Sequence, residues 1–271
     1  MPILTFTSDF GTADYMVGAV KGELLKLNDG FTLVDLTHDI IPYNAMHAAY
    51  VCKSIFTSFP PETFHLVLVN AFDNNADHLL LVRHQNQLLG IADNGLITMI
   101  LDGMPDEVVA IPIPAGSKKS VRLFASLLME SFSAVMSGLP LTKIGNPEVK
   151  IVEKKLMRPY VGPNYLEGQI LMIDRFLNVV LNITLRDFES ARQGRRFKIV
   201  LLRNEFIERI SEHYADVPDG EKLAFFNEAG FLEIAQNKGH AAPLFGLGEF
   251  PGSGGGYERR QYYQTIKVFF E

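Results

Sequence analysis

The hydrophobic pattern of this chain changes its period part-way along, and that change limits the folds open to it. Up to about residue 136, apolar runs of strand length alternate with amphipathic stretches of helical period. Beyond Ser137-Gly138-Leu139-Pro140, helical periodicity largely gives way to short β-rich segments separated by Gly, Asn and Pro. Strands alternating with helices pack as a mainly parallel sheet with helices on its faces, so the first half is expected to be an α/β domain. The second half is expected to be a smaller, mostly β domain. Pro147, Pro159 and Pro163 interrupt regular structure between them, which places the domains at residues 1–150 and 160–271.

The individual elements follow from spacing and punctuation. Ile3-Leu4-Thr5-Phe6 predicts a first strand ending near Ser8, and Val17, Val20, Leu24 and Leu27 share one stripe of a helix over residues 15–27. Residues 32–36 read as a strand, 45–56 as an amphipathic helix and 65–69 as a buried central strand. Residues 79–82 and 88–91 read as a hairpin pair, and Asp93-Asn94-Gly95 as a turn into a short helix. A strand at 108–113 and a helix at 121–136 complete the first domain. Strands are expected in the second at 168–173, 178–183, 197–202, 223–226, 231–235 and 265–270.

Composition excludes several classes of function. No apolar run approaches the roughly 18 residues of a membrane span, and Met1-Pro2-Ile3-Leu4 lacks the features of a signal peptide, so a cytoplasmic, membrane-free protein is expected. A net charge of −6 and the absence of long basic runs argue against a nucleic-acid partner and favour a cationic or neutral small ligand. Cys52 is the single cysteine; its apolar neighbours at helical spacing mark it as a core thiol. The seven histidines show no metal-ligand spacing, so no metal is expected. No Gly-x-Ser-x-Gly elbow is present. The glycine-rich run at 251–256 lacks a preceding strand and a following helix, and reads as a surface loop.

What remains is a set of polar residues at strand ends. Asp9 stands where the first strand hands over to the first helix, the place where open α/β sheets bind ligands. Its carboxylate can accept from both hydroxyls of a ribose; alternatively Asp9, Thr12 or Asp14 caps the helix. Asn70 follows the central strand. Asp174 and Asn178 bracket a turn in the second domain, where a carboxylate and an amide can match the polar edge of adenine while Phe176 offers a ring; local backbone bonding is the competing role. Asp35-x-x-His38-Asp39 reads either as an acid/base pair or as a strand-end turn network.

Taken in order, these segments resemble the S-adenosylmethionine hydroxide adenosyltransferase family, relatives of the bacterial fluorinase and chlorinase. Thr7-Ser8-Asp9-Phe10-Gly11 with Tyr15, Val17, Gly18, Lys21 and Gly22 is similar to the family's opening motif, and Val34-Asp35-Leu36-Thr37-His38 to its second. Asp93-Asn94-Gly95-Leu96 is similar to a third. Ile173-Asp174-Arg175-Phe176-Leu177-Asn178 resembles the adenine-binding segment, with Leu177 where glycine is usual. Tyr214-Ala215-Asp216-Val217 and the segment from Gly230 to Asn237 complete the set.

The resemblance implies a β-barrel-like C-terminal domain and a homotrimer with ligand sites between subunits. It implies S-adenosylmethionine as substrate, with no separate cofactor. By position, Asp9 with Phe10 beside it would hold the ribose, Asp14 would lie near the methionine end, and Tyr43 along the ribose and sulfonium. Asp174 and Asn178 would read adenine with Phe176 beside it, and Tyr214 would pack near the base. The chain also departs from the family's hydrolases, whose Asp-Arg-His triad handles the attacking water. Asn70 stands at the Asp, Asp77 beside His78 at the Arg, and Lys119 near the His. Asn70 and His78 are thus the candidates for the catalytic step. Asn70 can hold a water but not deprotonate it, and His78 can serve as a base if it faces inward. The products implied are adenosine and methionine; binding without turnover and halide transfer are the alternatives.

Overall fold

The computed structural model describes residues 1–202, 205–247 and 265–271, and the glycine-rich run at 251–256 lies outside them. The chain divides into two compact units, Met1–Leu156 and Met157–Glu271. In the first, β1 (Ile3–Ser8), α1 (Met16–Leu27), β2 (Thr32–Thr37), α2 (Ala45–Phe56) and β3 (Phe64–Leu68) alternate. Then come the hairpin β4 (His78–His84) and β5 (Gln87–Ala92), α3 (Leu96–Leu101), β6 (Glu107–Pro112), α4 (Val121–Met136) and the short α5 (Leu141–Ile144). The six strands form one sheet in the order β2-β1-β3-β5-β4-β6. Neighbours β2, β1, β3 and β5 run parallel, and β4 runs against both β5 and β6.

Period-two alternation divides the central strands between two cores. Leu66 and Leu68 of β3 join Leu4 and Phe6 of β1 beneath α1 and α4, whereas Val67 and Val69 face Ala48, Cys52, Ile97 and Ile100 of α2 and α3. Covering both faces of the sheet is why β3 is buried along its whole length, His65 included. Cys52 sits in the second of these cores, and burial pushes its thiol up to about 12. In β5, Gly90 leaves room for α4: a β-carbon there would lie 2.9 Å from Phe132 Cζ and 3.0 Å from Leu128 Cδ2.

The second unit is a sheet whose described pairings are all antiparallel, built from β7 (Tyr160–Val161), β8 (Tyr165–Ile173), β9 (Val179–Thr184), β10 (Phe197–Leu202), β11 (Glu205–Ile207), β12 (Lys222–Phe226), β13 (Phe231–Gln236) and β14 (Thr265–Phe270). The order β11-β10-β14-β8-β9-β13-β12, with β7 on β8, curls almost closed. Just past β11, the Ser211 amide donates to the Ala224 carbonyl of β12 at 2.8 Å and draws the two edge strands together.

Among the described residues, two α-helices punctuate this unit: α6 (Leu185–Arg192) and the four-residue α7 (Ala241–Leu244). The apolar pattern does not predict α6, because only Phe188 on it is buried. Its local signal is a capping box: the Thr184 hydroxyl accepts from the Asp187 amide, and the Asp187 carboxylate accepts from the Thr184 amide, both at 3.1 Å. Phe188 plugs the barrel core in edge-on contact with Phe197 and Phe226.

Candidate functional site

In the first unit, chain direction selects one crevice. From β1 the chain passes through α1 to β2 on one side, and from β3 it passes to β4 and β5 on the other. The carboxyl ends of β1 and β3 are therefore a topological switch point, where loops diverge and leave room for a ligand. Asp9 follows β1 and Asn70 lies two residues past β3, so both stand there. Asp9 does not cap α1. Its Oδ2 accepts from the backbone amides of Asn70 at 3.1 Å and Tyr43 at 3.3 Å, and among the described residues none of its bonds uses Oδ1.

Both donors have left-handed backbone, with φ of 44° at Asn70 and 63° at Tyr43. Asn tolerates that conformation better than most residues; Tyr does not, so the surrounding fold must hold it. The N-cap position of α1 is Tyr15, whose side chain makes no capping bond; just before it, Asp14 Oδ1 accepts from the Met16 amide at 2.8 Å. Phe10 packs edge-on against Phe6 at 6.4 Å and belongs to the rim of the core. Tyr43 leaves its ring exposed beside the crevice.

The Asp35/His38 pair turns out to be the strand-end network that shapes this edge. His38 Nδ1 pairs with Ser8 Oγ at 2.8 Å, and the His38 carbonyl accepts from the Gly11 amide at 2.8 Å. Burial pulls the Asp35 carboxyl upward, but its bonds to Lys21 and His38 outweigh this and hold it below the usual range.

Asp93-Asn94-Gly95 supports the same edge from beneath. Asn94 Nδ2 donates to the carbonyls of Val69 and Asn70, each at 3.0 Å, and so fixes the turn that aims the Asn70 amide at Asp9. Asp93 Oδ1 accepts from the Val152 amide at 2.8 Å. Gly95 has φ of 85°, and a β-carbon there would meet Lys154 Cγ at 2.5 Å. Lys154 runs over Gly95 to pair with Asp73 at 2.8 Å, and that hydrogen bond is the main reason the Asp73 carboxyl stays below its ordinary range. The Asn70 side chain lies against the same carboxylate.

His78 is tied elsewhere. Its Nδ1 pairs with Asp77 at 2.8 Å and its Nε2 with Asp93 at 3.1 Å, so no ring nitrogen is left to face a water. It heads β4, two strands from β3 in sheet order, or roughly 10 Å at the usual spacing. With Asp77 it lines a cleft of about 630 Å³ that includes Lys143, Asn146 and Lys150 but not Asp9, Tyr43 or Asn70. Lys119 donates to the carbonyls of Asn75 and Ala76 and anchors their loop.

The second unit brings together Asp174, Asn178 and Tyr214, with Phe176 exposed on the same turn. Asp174 Oδ1 accepts from the amides of Phe176 at 2.9 Å and Asn178 at 2.8 Å, so local backbone bonding claims one of its oxygens. Asn178 Nδ2 is ringed by Tyr214 Oη at 2.8 Å, Glu233 Oε1 at 3.0 Å and Asp174 Oδ2 at 3.1 Å. Burial raises the Glu233 carboxyl above its ordinary range, and the nearby Asp174 charge adds to this. Burial also raises the Tyr214 hydroxyl, followed by the Glu233 charge. Leu177 has φ of 62° and is held by its own amide, which donates to the Asp174 carbonyl at 3.0 Å, and by its carbonyl, which accepts from Ala242 at 2.9 Å.

The N-terminal model of the SAM hydroxide adenosyltransferase family matches residues 4–143, just over half of the 271-residue chain, and its C-terminal model matches residues 168–251. The chain belongs to the SAM hydroxide adenosyltransferase family. It is 28% identical to an (R)-S-adenosyl-L-methionine hydrolase of Thermus thermophilus, over 90% of this chain and 95% of that one. It is 24% identical to a second such hydrolase, from Methanocaldococcus jannaschii, over 91% and 93%. A fluorinase of Actinoplanes is 25% identical over 90% and 92%. A conserved Thermotoga maritima protein of solved structure shares the fold, with a TM-score of 0.78 at 22% identity over 98% of this chain and 99% of that one.

Within this member of the SAM hydroxide adenosyltransferase family, sequence reasoning overlooked two supporting residues. Asn94 was visible only as a turn former and as part of a motif, and Glu233 only as part of a motif. The signal for Glu233 was a carboxylate inside an apolar strand, Leu232-Glu233-Ile234-Ala235, where burial without a cation requires several hydrogen-bond donors. Among the described residues, no helix is long and apolar enough to cross a membrane, and no group of three or more His, Cys, Asp or Glu is placed to hold a metal.

Proposed function

We propose that this chain cleaves S-adenosylmethionine by nucleophilic attack at the ribose C5′, giving adenosine and methionine. The observation that carries the reading is Asp9: a carboxylate at the switch point with one oxygen fixed by two backbone amides and the other uncommitted. Such an oxygen, held without side-chain freedom to lose, suits a ribose diol. Phe10 and Asp14 would flank the sugar and the methionine end, and the Tyr43 ring would meet the sulfonium through its face. Asp174, Phe176, Asn178 and Tyr214 would receive the adenine, in a homotrimer whose sites lie between subunits.

The chemistry asks little of a proton donor. The nucleophile forms a bond to C5′ as the C–S bond breaks, sulfur keeps the electron pair, and the sulfonium leaves as neutral methionine. A water nucleophile sheds one proton in becoming the 5′-hydroxyl. What the protein must supply is in-line position and exclusion of bulk water, which together are worth several kcal/mol. Asn70 is the group assigned to hold the nucleophile. His78 can act as its base only after giving up Asp77 or Asp93, so activation of water is the weak point of the reaction here.

The test is incubation of purified protein with S-adenosylmethionine, with and without chloride, followed by chromatography of the products. Adenosine and methionine support the reading. A 5′-chlorinated nucleoside would reassign the nucleophile to halide. Tight binding with no product would overturn cleavage in favour of a ligand-binding trimer, a reading favoured by the engagement of both His78 nitrogens and by the use of Lys119 as a loop anchor.

A further inference from the structure

Glu233 is buried in β13, yet no Lys, Arg or His neutralises it among the described residues. Both of its oxygens accept instead from side-chain amides: Oε1 from Asn178 Nδ2 and Oε2 from Asn227 Nδ2, each at 3.0 Å. Asn227 cannot turn its amide around, because its Oδ1 already accepts from the backbone amides of Ala229 and Phe231, each at 3.1 Å. Asn178 is constrained in the same sense. Two carboxylate oxygens and the Tyr214 hydroxyl surround its nitrogen, and an oxygen in that place would face both carboxylate oxygens with no proton between. The two hydrogens of Nδ2 are consumed within the protein, and Oδ1 is the atom with capacity to spare.

We infer that Glu233 is a positioning residue that locks the Asn178 amide with its oxygen as the only group offered to a purine, so that this site selects a 6-amino purine over a 6-oxo purine. The inference rests on the adenine-binding reading of Asp174, Phe176 and Asn178 above. An amide that can only accept pairs with the exocyclic amine of adenine. Hypoxanthine presents a carbonyl there, and two acceptors would then face each other across the contact. If the amide were free to rotate by half a turn, the side chain would serve either base. Glu233 removes that freedom, and a carboxylate is required because it must accept on both sides at once.

The experiment is calorimetric binding of adenosine and of inosine to the full-length protein and to Glu233→Gln. The variant keeps one acceptor, which the immobile Asn227 claims, and turns an NH2 group toward Asn178, which favours the reversed amide. The wild-type protein should prefer adenosine by about tenfold or more, and Glu233→Gln should narrow the preference to about threefold or less. Thermal melts establish that the variant is folded. If Glu233→Gln does not fold, Glu233→Met, which removes both oxygens, is held to the same criterion. A variant that discriminates as well as wild type overturns the inference while leaving the adenine site intact. A wild-type protein that binds neither nucleoside overturns the adenine site itself, and the inference with it.

Discussion

Asp9 and Asp174 each accept two backbone amides, but from opposite kinds of neighbour. The donors to Asp9 come from residues 34 and 61 positions away, delivered by loops after two other strands. The donors to Asp174 lie two and four positions away within its own turn. A carboxylate supported by its own turn keeps its geometry whenever the turn forms. One supported across a sheet edge has its geometry only when β1, β2 and β3 are all in register. The first unit therefore couples its candidate ligand oxygen to global folding, and the second builds its polar cluster from local turns and side-chain amides.

The widest separation between the units should appear with pH. His47 and His65 are buried in the first unit, and burial lowers both to about 4. The unfolded chain takes up a proton at each near pH 6.5, so stability falls as pH drops from there toward 4. At about 1.4 kcal/mol per pH unit, the loss is about 2–3 kcal/mol for each histidine by pH 4.5. Urea titrations of His47→Gln and His65→Gln should show a shallower acid decline, and an unchanged decline would remove these residues as its cause. Glu233 works in the other direction. Its folded carboxyl is raised, so the stability it allows at low pH is lost as pH rises through the folded value. The melting temperature of Glu233→Gln relative to wild type should therefore climb as pH rises above the ordinary glutamate value of 4.5.

Asp9→Asn separates scaffold from ligand contact. The new side chain can still accept the Tyr43 and Asn70 amides through its oxygen but turns an NH2 toward the ribose. Adenosine and S-adenosylmethionine affinity should fall about 10- to 100-fold, the worth of a charge-assisted hydrogen bond, with little change in unfolding free energy. Undiminished affinity by calorimetry would strike Asp9 from the ribose role. Asn70→Ala should cost about 1 kcal/mol in urea unfolding, because alanine lacks asparagine's tolerance of positive φ. The smallest effect belongs to the second unit: Thr184→Ala should cost about 1 kcal/mol or less by loss of the α6 cap, and ligand affinity should not change.

How far the sequence could be read tracks the same contrast. Regular elements were legible where period and punctuation agreed, as in β3, α2 and α4, because burial on one or both faces writes itself into residue spacing. The Asp174 turn was legible for the same reason, its partners being neighbours in the chain. Leu177 shows a limit: φ is positive there, a conformation that favours glycine, yet no local rule says that backbone bonds to Asp174 and Ala242 would let a leucine hold it. α6 escaped notice because one buried phenylalanine makes no periodic signal.

By itself, then, the sequence determined the division into an α/β part and a β part, the apolar strands and helices of each, and the kinds of side chain that stand at strand ends. Only the tertiary structure decided what those side chains face. It took Asp9 away from helix capping and gave it two distant amides, bound His78 between Asp77 and Asp93, and put Glu233 against Asn178. Secondary structure is written in spacing along one chain segment. A hydrogen bond between residues sixty positions apart depends on sheet order and loop conformation, which no local pattern encodes.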